Sequence, residues 1–523
     1  MFSLLLAVTI VAHEPGYTTS LANHVQRWLR AEGVASEVVT PAEMQKKLLF
    51  EKVAFLVGFD KLTPAERDTL SVYSARGGKL VVFNSSSAEL GSLMGVKPGA
   101  YKAAAYPGQW GRMDFAAQRP AGAPAAVEQT SGGITRAVPI EGKGRVMATW
   151  TDRNGRPTGE AAWISSPGGY WMTHVLLPDG DEALKGRLCA SLVGAADPAL
   201  WNPVKAAARA DAEFKALRAF AAKQTPRPGE IHAVWDHTGC GLYPGNWQKT
   251  MKVLRESHVT DLFVNVGGIG FAHYASGVLP RSKTFREQGD QLAQCLLAAR
   301  GTGIRVHAWI LCFSATRGSP DTLTDYEKRG WRLKSKDGKL TEYVNPANPL
   351  VRARVLEAID ELQRYQIAGV HLDFVRWGET VAKPAGAVEQ ITTFVAEARR
   401  HVRRPKWLTT AVYGKYPKCV GTVAQDWKPW LDANFVDYIV PMDYTEDTRL
   451  FQELLATQAA QRGHAKRTIV GVGVTANESR LDAKQVINQI NLSRKYGFAG
   501  NALFDLDTTL EKQILPFLRL GLW

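Results

Sequence analysis

The sequence predicts an α/β protein. Its C-terminal part, residues 229–523, closes into a (β/α)8 barrel, and a second α/β domain precedes it over residues 1–200. Three observations carry this reading. The chain has 523 residues, too many for one ordinary core. From Ile231 onward, short apolar runs alternate with helix patterns eight times. Two of those runs end abruptly in carboxylates and aromatics. They are Gly369-Val-His-Leu-Asp-Phe-Val-Arg-Trp377 and Val436-Asp-Tyr-Ile-Val-Pro-Met-Asp-Tyr444. A buried parallel strand that delivers chemistry at its C-terminal tip has this form.

Phe2 to Ala12 is apolar and leads through His13-Glu-Pro-Gly16 into a helix pattern, so it reads as a first strand. A signal-peptide core is the alternative, although no positive charge precedes it. Ser20 is placed to cap a helix whose apolar face is Leu21, Val25, Trp28 and Leu29. Val53–Gly58 is a buried strand, and Thr63-Pro64 opens a helix that stops at Gly77-Gly78. Lys79–Phe83 is the next strand. Arg145–Trp150, Ala161–Ser165 and Tyr170–Leu177 read as strands of a more antiparallel portion. Residues 201–228 form a connector. It is rich in Ala, Lys and Arg from Asn202 to Ala222 and closed by the breaker cluster Gln224-Thr-Pro-Arg-Pro-Gly229.

The eight barrel strands are expected at Ile231–Asp236, Asp261–Val266, Arg305–Leu311, Gly369–Phe374, Trp407–Val412, Val436–Pro441, Thr468–Val474 and Gly500–Asp505. Between them lie one-sided helices such as Val351/Val355/Ile359/Leu362 and Ile391/Phe394/Val395/Ala398. The long loops Gly267–Phe285 and Cys312–Leu350 are expected to build a cleft.

Barrel strand tips converge on one face, so their residues define a candidate site. The binding candidates are Trp235, Asp236, Asn265, His307, Trp309, Asn345, His371, Arg376, Trp377, Tyr413, Tyr444 and Asp505. Aromatic faces stack on sugar C–H surfaces, and the polar groups bond hydroxyls. Glycosidic cleavage needs a carboxylic acid for the leaving oxygen and a second group at the oxocarbenium-like centre. Asp373 is the expected acid, since Phe374 and Trp377 beside it favour desolvation. Asp443 is the expected second carboxylate. Plainer roles stand beside these: an Asp373–Arg376 ion pair, a helix cap for Asp443, core packing for His307, His371, Trp235 and Trp309, and a loop brace for Asp505.

Hydrophobic residues make up 45% and charged residues 22%, the balance of a folded domain rather than a disordered one. The net charge of +14 suits an acidic polymer, but no aromatic-basic motif points to nucleic acid. The five cysteines have neither metal nor redox spacing, so no metal and no cofactor is expected. No stretch beyond the N-terminus reaches the ~20 apolar residues of a membrane span.

Residues 230–523 resemble the glycosyl-hydrolase-like family 10 proteins. The segments that carry this are His232–Asp236, Ala275–Pro280, Val306–Trp309, Val344–Pro349 with Val351-Arg352, Gly369–Phe374, Gln425–Trp427 and Val436–Pro441. The resemblance implies a glycosidase barrel of the bacterial cell envelope or exterior. Some members act on peptidoglycan glycan strands stripped of peptide. The family often has two adjacent acids at the strand-four tip; here Phe374 follows Asp373. The Pro-Met-Asp-Tyr tip is also similar to that of family-18 chitinases, where the substrate's N-acetyl group is the nucleophile. The N-terminal region resembles the flavodoxin-like domain of class I glutamine amidotransferases. Its elbow, Phe83-Asn-Ser-Ser-Ser-Ala88, lacks the nucleophilic cysteine, so a non-catalytic role is expected. The expected activity is hydrolysis of an amino-sugar-containing polysaccharide. The alternative is a glycan-binding protein that keeps the scaffold without the chemistry.

Overall fold

The computed structural model describes residues 8–523 except 107, 153, 180, 181 and 462; of residue 130 only the backbone is described. The segment Phe2 to Ala7 of the expected first strand lies outside the described residues; Val8–Ala12 is a fully buried strand. The chain divides into two compact units, Met1–Glu213 and Phe214–Trp523. The helix Pro203–Ala222 runs across the division.

The N-terminal unit is a mixed α/β domain built on one nine-stranded sheet. Ser36–Val39, Val8–Ala12, Val53–Val57, Lys79–Phe83 and Gly169–Met172 pair in parallel. Pro157–Ser166, Arg145–Thr151, Trp110–Phe115 and Ala126–Ser131 continue it antiparallel. The helix at Pro64–Ala75 starts as its sequence dictates. Thr63 Oγ1 accepts from the Glu66 N–H, and the Glu66 carboxylate accepts from the Thr63 N–H. The first helix differs from expectation. It spans Tyr17–Ala31, so Ser20 lies inside its first turn, and the capping position is Gly16 at φ 97°. Glycine enters that left-handed backbone without a Cβ clash, which moves the start ahead of the serine. The last expected strand is shorter than its apolar run and ends at Met172.

The second unit is a closed barrel of eight parallel strands: Ile231–Asp236, Asp261–Gly268, Arg305–Leu311, Gly369–Asp373, Trp407–Tyr413, Tyr438–Met442, Ile469–Gly473 and Gly500–Phe504. Below they are numbered one to eight. Each pairs with the next in chain order, and strand eight pairs back with strand one, Ile231 opposite Gly500. Closure leaves no exposed edge. All eight expected strands are present. Their ends shift by one or two residues, where the pleat gives way to the loop.

Alternate residues point inward and fill the barrel, as the two-residue strand period requires. The filling is aromatic and imidazole. Trp407 stacks on His307 (ring centroids 5.4 Å apart), His307 meets Phe263 (5.1 Å), Phe263 stacks on His371 (4.3 Å), and His371 meets Trp235 (5.9 Å). Each such pair contributes about 0.5–1.5 kcal/mol beyond its buried area. The Trp235 indole only donates, and it donates to His371 Nε2 at 3.0 Å. His371 Nδ1 therefore carries the ring proton and gives it to Thr409 Oγ1 at 2.8 Å. Burial holds the His371 pKa well below its usual value, so the ring is neutral. The Thr409–His371–Trp235 relay fixes the tryptophan ring at the top of this stack.

Candidate active site

The C-terminal mouth of the barrel opens into a cavity of about 650 Å3. Its wall comes from the tips of seven strands and their loops. Strand one gives Trp235 and His237, strand three Trp309, and the long third loop Tyr343. Strand four and its loop give Asp373, Phe374, Arg376 and Glu379; strand five gives Tyr413 and Lys415. Tyr444 follows strand six, Asn477 and Glu478 follow strand seven, and Phe504 and Asp505 end strand eight. Six expected binding residues therefore meet here: Trp235, Trp309, Arg376, Tyr413, Tyr444 and Asp505. Asp373 meets them.

Asp373 stands at the end of strand four with only 8% of its side chain exposed. Its Oδ1 accepts from the Phe374 N–H and from Arg376 Nη1 at 3.3 Å. The Trp309 indole N–H has no partner in hydrogen-bond geometry among the described residues, yet lies near enough to favour the ionised carboxylate. Burial raises the Asp373 pKa, and Arg376 opposes that rise. Phe374 has φ +52°, a left-handed backbone that a bulky residue adopts at a cost of about 1–3 kcal/mol. That turn aims its N–H at the Asp373 carboxylate. Arg376 is nearly buried, with its guanidinium carbon 4.0 Å from the Phe374 ring centroid and 5.0 Å from that of Tyr413. Its Nε has no partner among the described residues.

Asp505 is a second strand-tip carboxyl in the mouth, beside the exposed Glu379 and Glu478. Its Oδ1 accepts from the His237 N–H at 3.0 Å and the Leu506 N–H at 2.7 Å. Burial pushes its pKa up to about 7; the His237 N–H opposes this, and the nearby Asp236 charge adds to it. It has no cation bonded to it among the described residues. Tyr444 stacks on Phe504 at 5.3 Å and meets Trp235 edge-on at 6.3 Å. Burial holds its phenol far above the usual range, so it stays a proton donor.

The remaining expected residues lie elsewhere. Asp443 is fully buried and does not line the mouth. Both its oxygens accept from Gln458 Nε2, at 2.8 and 3.0 Å, on the helix Thr448–Ala459. A Cβ added to Gly414 would stand 1.7 Å from Asp443 Oδ1. Strand six thus turns this carboxyl outward, beneath Gly414. Gly414→Ala is expected to displace it and lower stability by about 1–3 kcal/mol, read as a drop in Tm.

Asp236 is also buried. Its oxygens accept from the N–H groups of Thr238, Gly239 and Gly241 and from the Thr238 hydroxyl, which ties down the first loop. His307 sits low in the barrel, opposite Gly369 at the start of strand four, and bonds Asp261 at 2.7 Å. Four residues separate it from the strand-three tip, about 13 Å along an extended chain. His371 lies beneath Trp235 as part of the relay, and Asn265 is buried on strand two. Asn345 accepts from the Ala347 N–H in a loop turn. Trp377 packs into the core that surrounds the barrel.

The mouth also holds residues beyond those expected from the sequence. Asn477 and Glu478 follow strand seven, where Thr475-Ala-Asn-Glu478 makes the same apolar-to-polar switch that marks the other strand tips. Among the described residues no group of three or more His, Cys, Asp or Glu is arranged to hold a metal ion. No helix among them is long and apolar enough to cross a membrane.

No family model matches the chain, and no curated protein matches it. Solved structures do. The PgaB (BpsB) glycoside hydrolase domain from Bordetella bronchiseptica aligns at 14% identity over 57% of this chain and 100% of its own, with a TM-score of 0.46. A family-18 chitinase from Cycas revoluta in complex with (GlcNAc)4 aligns at 10% identity over 56% and 98%, with a TM-score of 0.38. A ThuA-like protein from Bacteroides uniformis aligns at 13% over 38% and 94%, with a TM-score of 0.30. At such values none of these assigns an activity. The barrel stands on its own closed ring of strand pairings.

Proposed function

We propose that the chain is a glycoside hydrolase of amino-sugar-containing polysaccharide, with peptidoglycan glycan strands as the candidate polymer. The observation that carries this reading is a pair of strand-tip carboxyls in one aromatic-walled cavity, of which one is bonded to a guanidinium and the other is not. Burial raises the pKa of Asp373, but the guanidinium bonded to it favours its ionised form. Asp505 has none and holds its proton to about pH 7. A guanidinium on one carboxyl of such a pair favours its ionised form and leaves the other as the acid. Asp505 then protonates the leaving oxygen. Asp373 stabilises the oxocarbenium-like centre or activates water. Tyr444 donates to a substrate group above Trp235. The acid role expected of Asp373 thereby passes to Asp505, and Asp373 takes the part expected of Asp443.

Incubation with defined amino-sugar oligosaccharides, with products read by mass spectrometry, tests the proposal. Chain-shortened products support it. Retention of intact glycan without release over long incubation supports the glycan-binding reading instead. The acid role has a signature in pH. Asp505 is protonated below about 7 and loses its proton above it, so kcat/KM is expected to fall as pH rises through that value. A flat profile from about pH 5 to 9 would remove Asp505 from the acid role.

The N-terminal domain is read as amidotransferase-like in architecture and non-catalytic. Its left-handed elbow residue is Asn84, at φ 47°, which supplies no nucleophile. The three serines behind it are engaged: Ser85 donates to the Phe59 carbonyl, Ser86 donates to Asp60 at 2.8 Å, and Ser87 accepts from the Leu90 N–H at 3.2 Å.

A further inference from the structure

Beside the mouth lies a second cavity of about 690 Å3 on the same face of the barrel. It is lined by Lys336, Lys383, Lys415 and Lys418, with Glu379 as its one carboxylate. The lysines come from three separate loops, those after strands three, four and five. Glu379, Tyr413 and Lys415 line both cavities, so the two adjoin. Glu379 accepts from the Tyr413 hydroxyl at their junction.

Lys336, Lys415 and Lys418 are exposed along the second cavity, and Lys383 is half-buried. Like charges repel, and burial first and the nearby Lys336 charge second disfavour protonation of Lys383. Lys383 Nζ is nonetheless held in place by the Gly378 and Val381 carbonyls, at 3.1 and 3.0 Å. None of the four lysines forms a salt bridge among the described residues. Some other lysines do pair, among them Lys428 with Asp432 and Lys52 with Asp197. An anion arriving in this cavity would relieve the repulsion.

We infer that the lysine cavity is a subsite for a negatively charged substituent on the sugar polymer, so that the substrate is an acidic glycan. The inference rests on the glycosidase-scaffold reading of the mouth and adds the charge of what enters it. A sugar seated between Phe374, Tyr413 and Trp235 would extend past Tyr413 and carry its carboxylate, or a sulfate ester, to Lys336, Lys415 and Lys418. Lys336 and Lys418 line only the lysine cavity, which makes them the probes of choice.

The test uses the full-length protein and titration calorimetry with three probes. The first is an oligosaccharide of alternating N-acetylglucosamine and glucuronate. The second is the same compound after reduction of its carboxylates to alcohols, and the third is a sulfated oligosaccharide of equal length. The carboxylated probe is expected to bind about tenfold tighter than its reduced form at low salt, and the advantage should shrink at high salt. K336S/K418S is expected to lose most of that advantage, and K336R/K418R to keep it, with melting curves confirming that both fold. Tighter binding of the sulfated probe than of the carboxylated one would assign the subsite to sulfate esters. Equal affinity for charged and reduced probes, or an advantage that survives in K336S/K418S, overturns the inference. A protein that cleaves glycans without charge preference sinks this inference alone. One that prefers the charged probe yet cleaves nothing sinks the hydrolase reading alone.

Discussion

Asp373→Asn is expected to lower glycan cleavage by about 10²–10⁴-fold while leaving the melting temperature nearly unchanged. The side-chain amide keeps an oxygen for the Phe374 N–H and for Arg376 Nη1, so the strand-four turn has no reason to rearrange. What disappears is the ionisable carboxyl facing the cavity. Steady-state rates on a glycan of known length and a thermal melt, taken on one preparation, separate the outcomes. A variant that melts far lower would make the Asp373–Arg376 pair a structural brace. A variant that folds and cleaves normally would remove Asp373 from the chemistry.

The second large effect concerns Asp443. Burial pushes its pKa from 3.8 up to about 7, and its one bonded partner is an amide. Between those two values the folded state holds the proton and the unfolded chain does not. Stability therefore falls as pH rises from about 4 to about 7, and the deficit persists above that. A tenfold change in acidity between the folded and unfolded chain corresponds to about 1.4 kcal/mol, so the deficit reaches roughly 4 kcal/mol. Asp443→Asn removes the ionisation. Its new N–H groups have Gln458 Oε1, now without a partner, as a nearby acceptor. Tm at about pH 8 is expected to rise, and the decline of Tm between about pH 4 and pH 8 to flatten. A lower Tm under those alkaline conditions would contradict this account. A loss of cleavage matching that of Asp373→Asn would restore the catalytic role expected from the sequence.

The two carboxyls show what a sequence reveals here and what it hides. Apolar runs that end in Asp373 and Asp443 look alike on paper, and both do stand at strand ends. Whether a tip residue faces the mouth or the surrounding helices depends on the pleat at the last residue of the strand. Strand four ends at Asp373 and strand six at Met442, so the two aspartates occupy opposite phases. One residue of register moves a side chain to the other face. The same ambiguity applies to His307. Its alternation with apolar neighbours marks an inward position, but its depth follows from where the strand stops. The eight-fold recurrence is legible because it rests on many apolar positions at once. The lysine cavity is not, since its four members come from three loops with no shared pattern.

The relay beneath the mouth has a consequence for how the protein meets changes of acidity. An imidazole whose Nε2 lone pair is already engaged by an indole, and whose other nitrogen serves a hydroxyl, has nowhere to put a second proton. Souring the surroundings leaves the seat on which a sugar ring would rest in its shape. A drop in external pH would therefore reach Asp505 in the cavity wall before it reached the Trp235 ring.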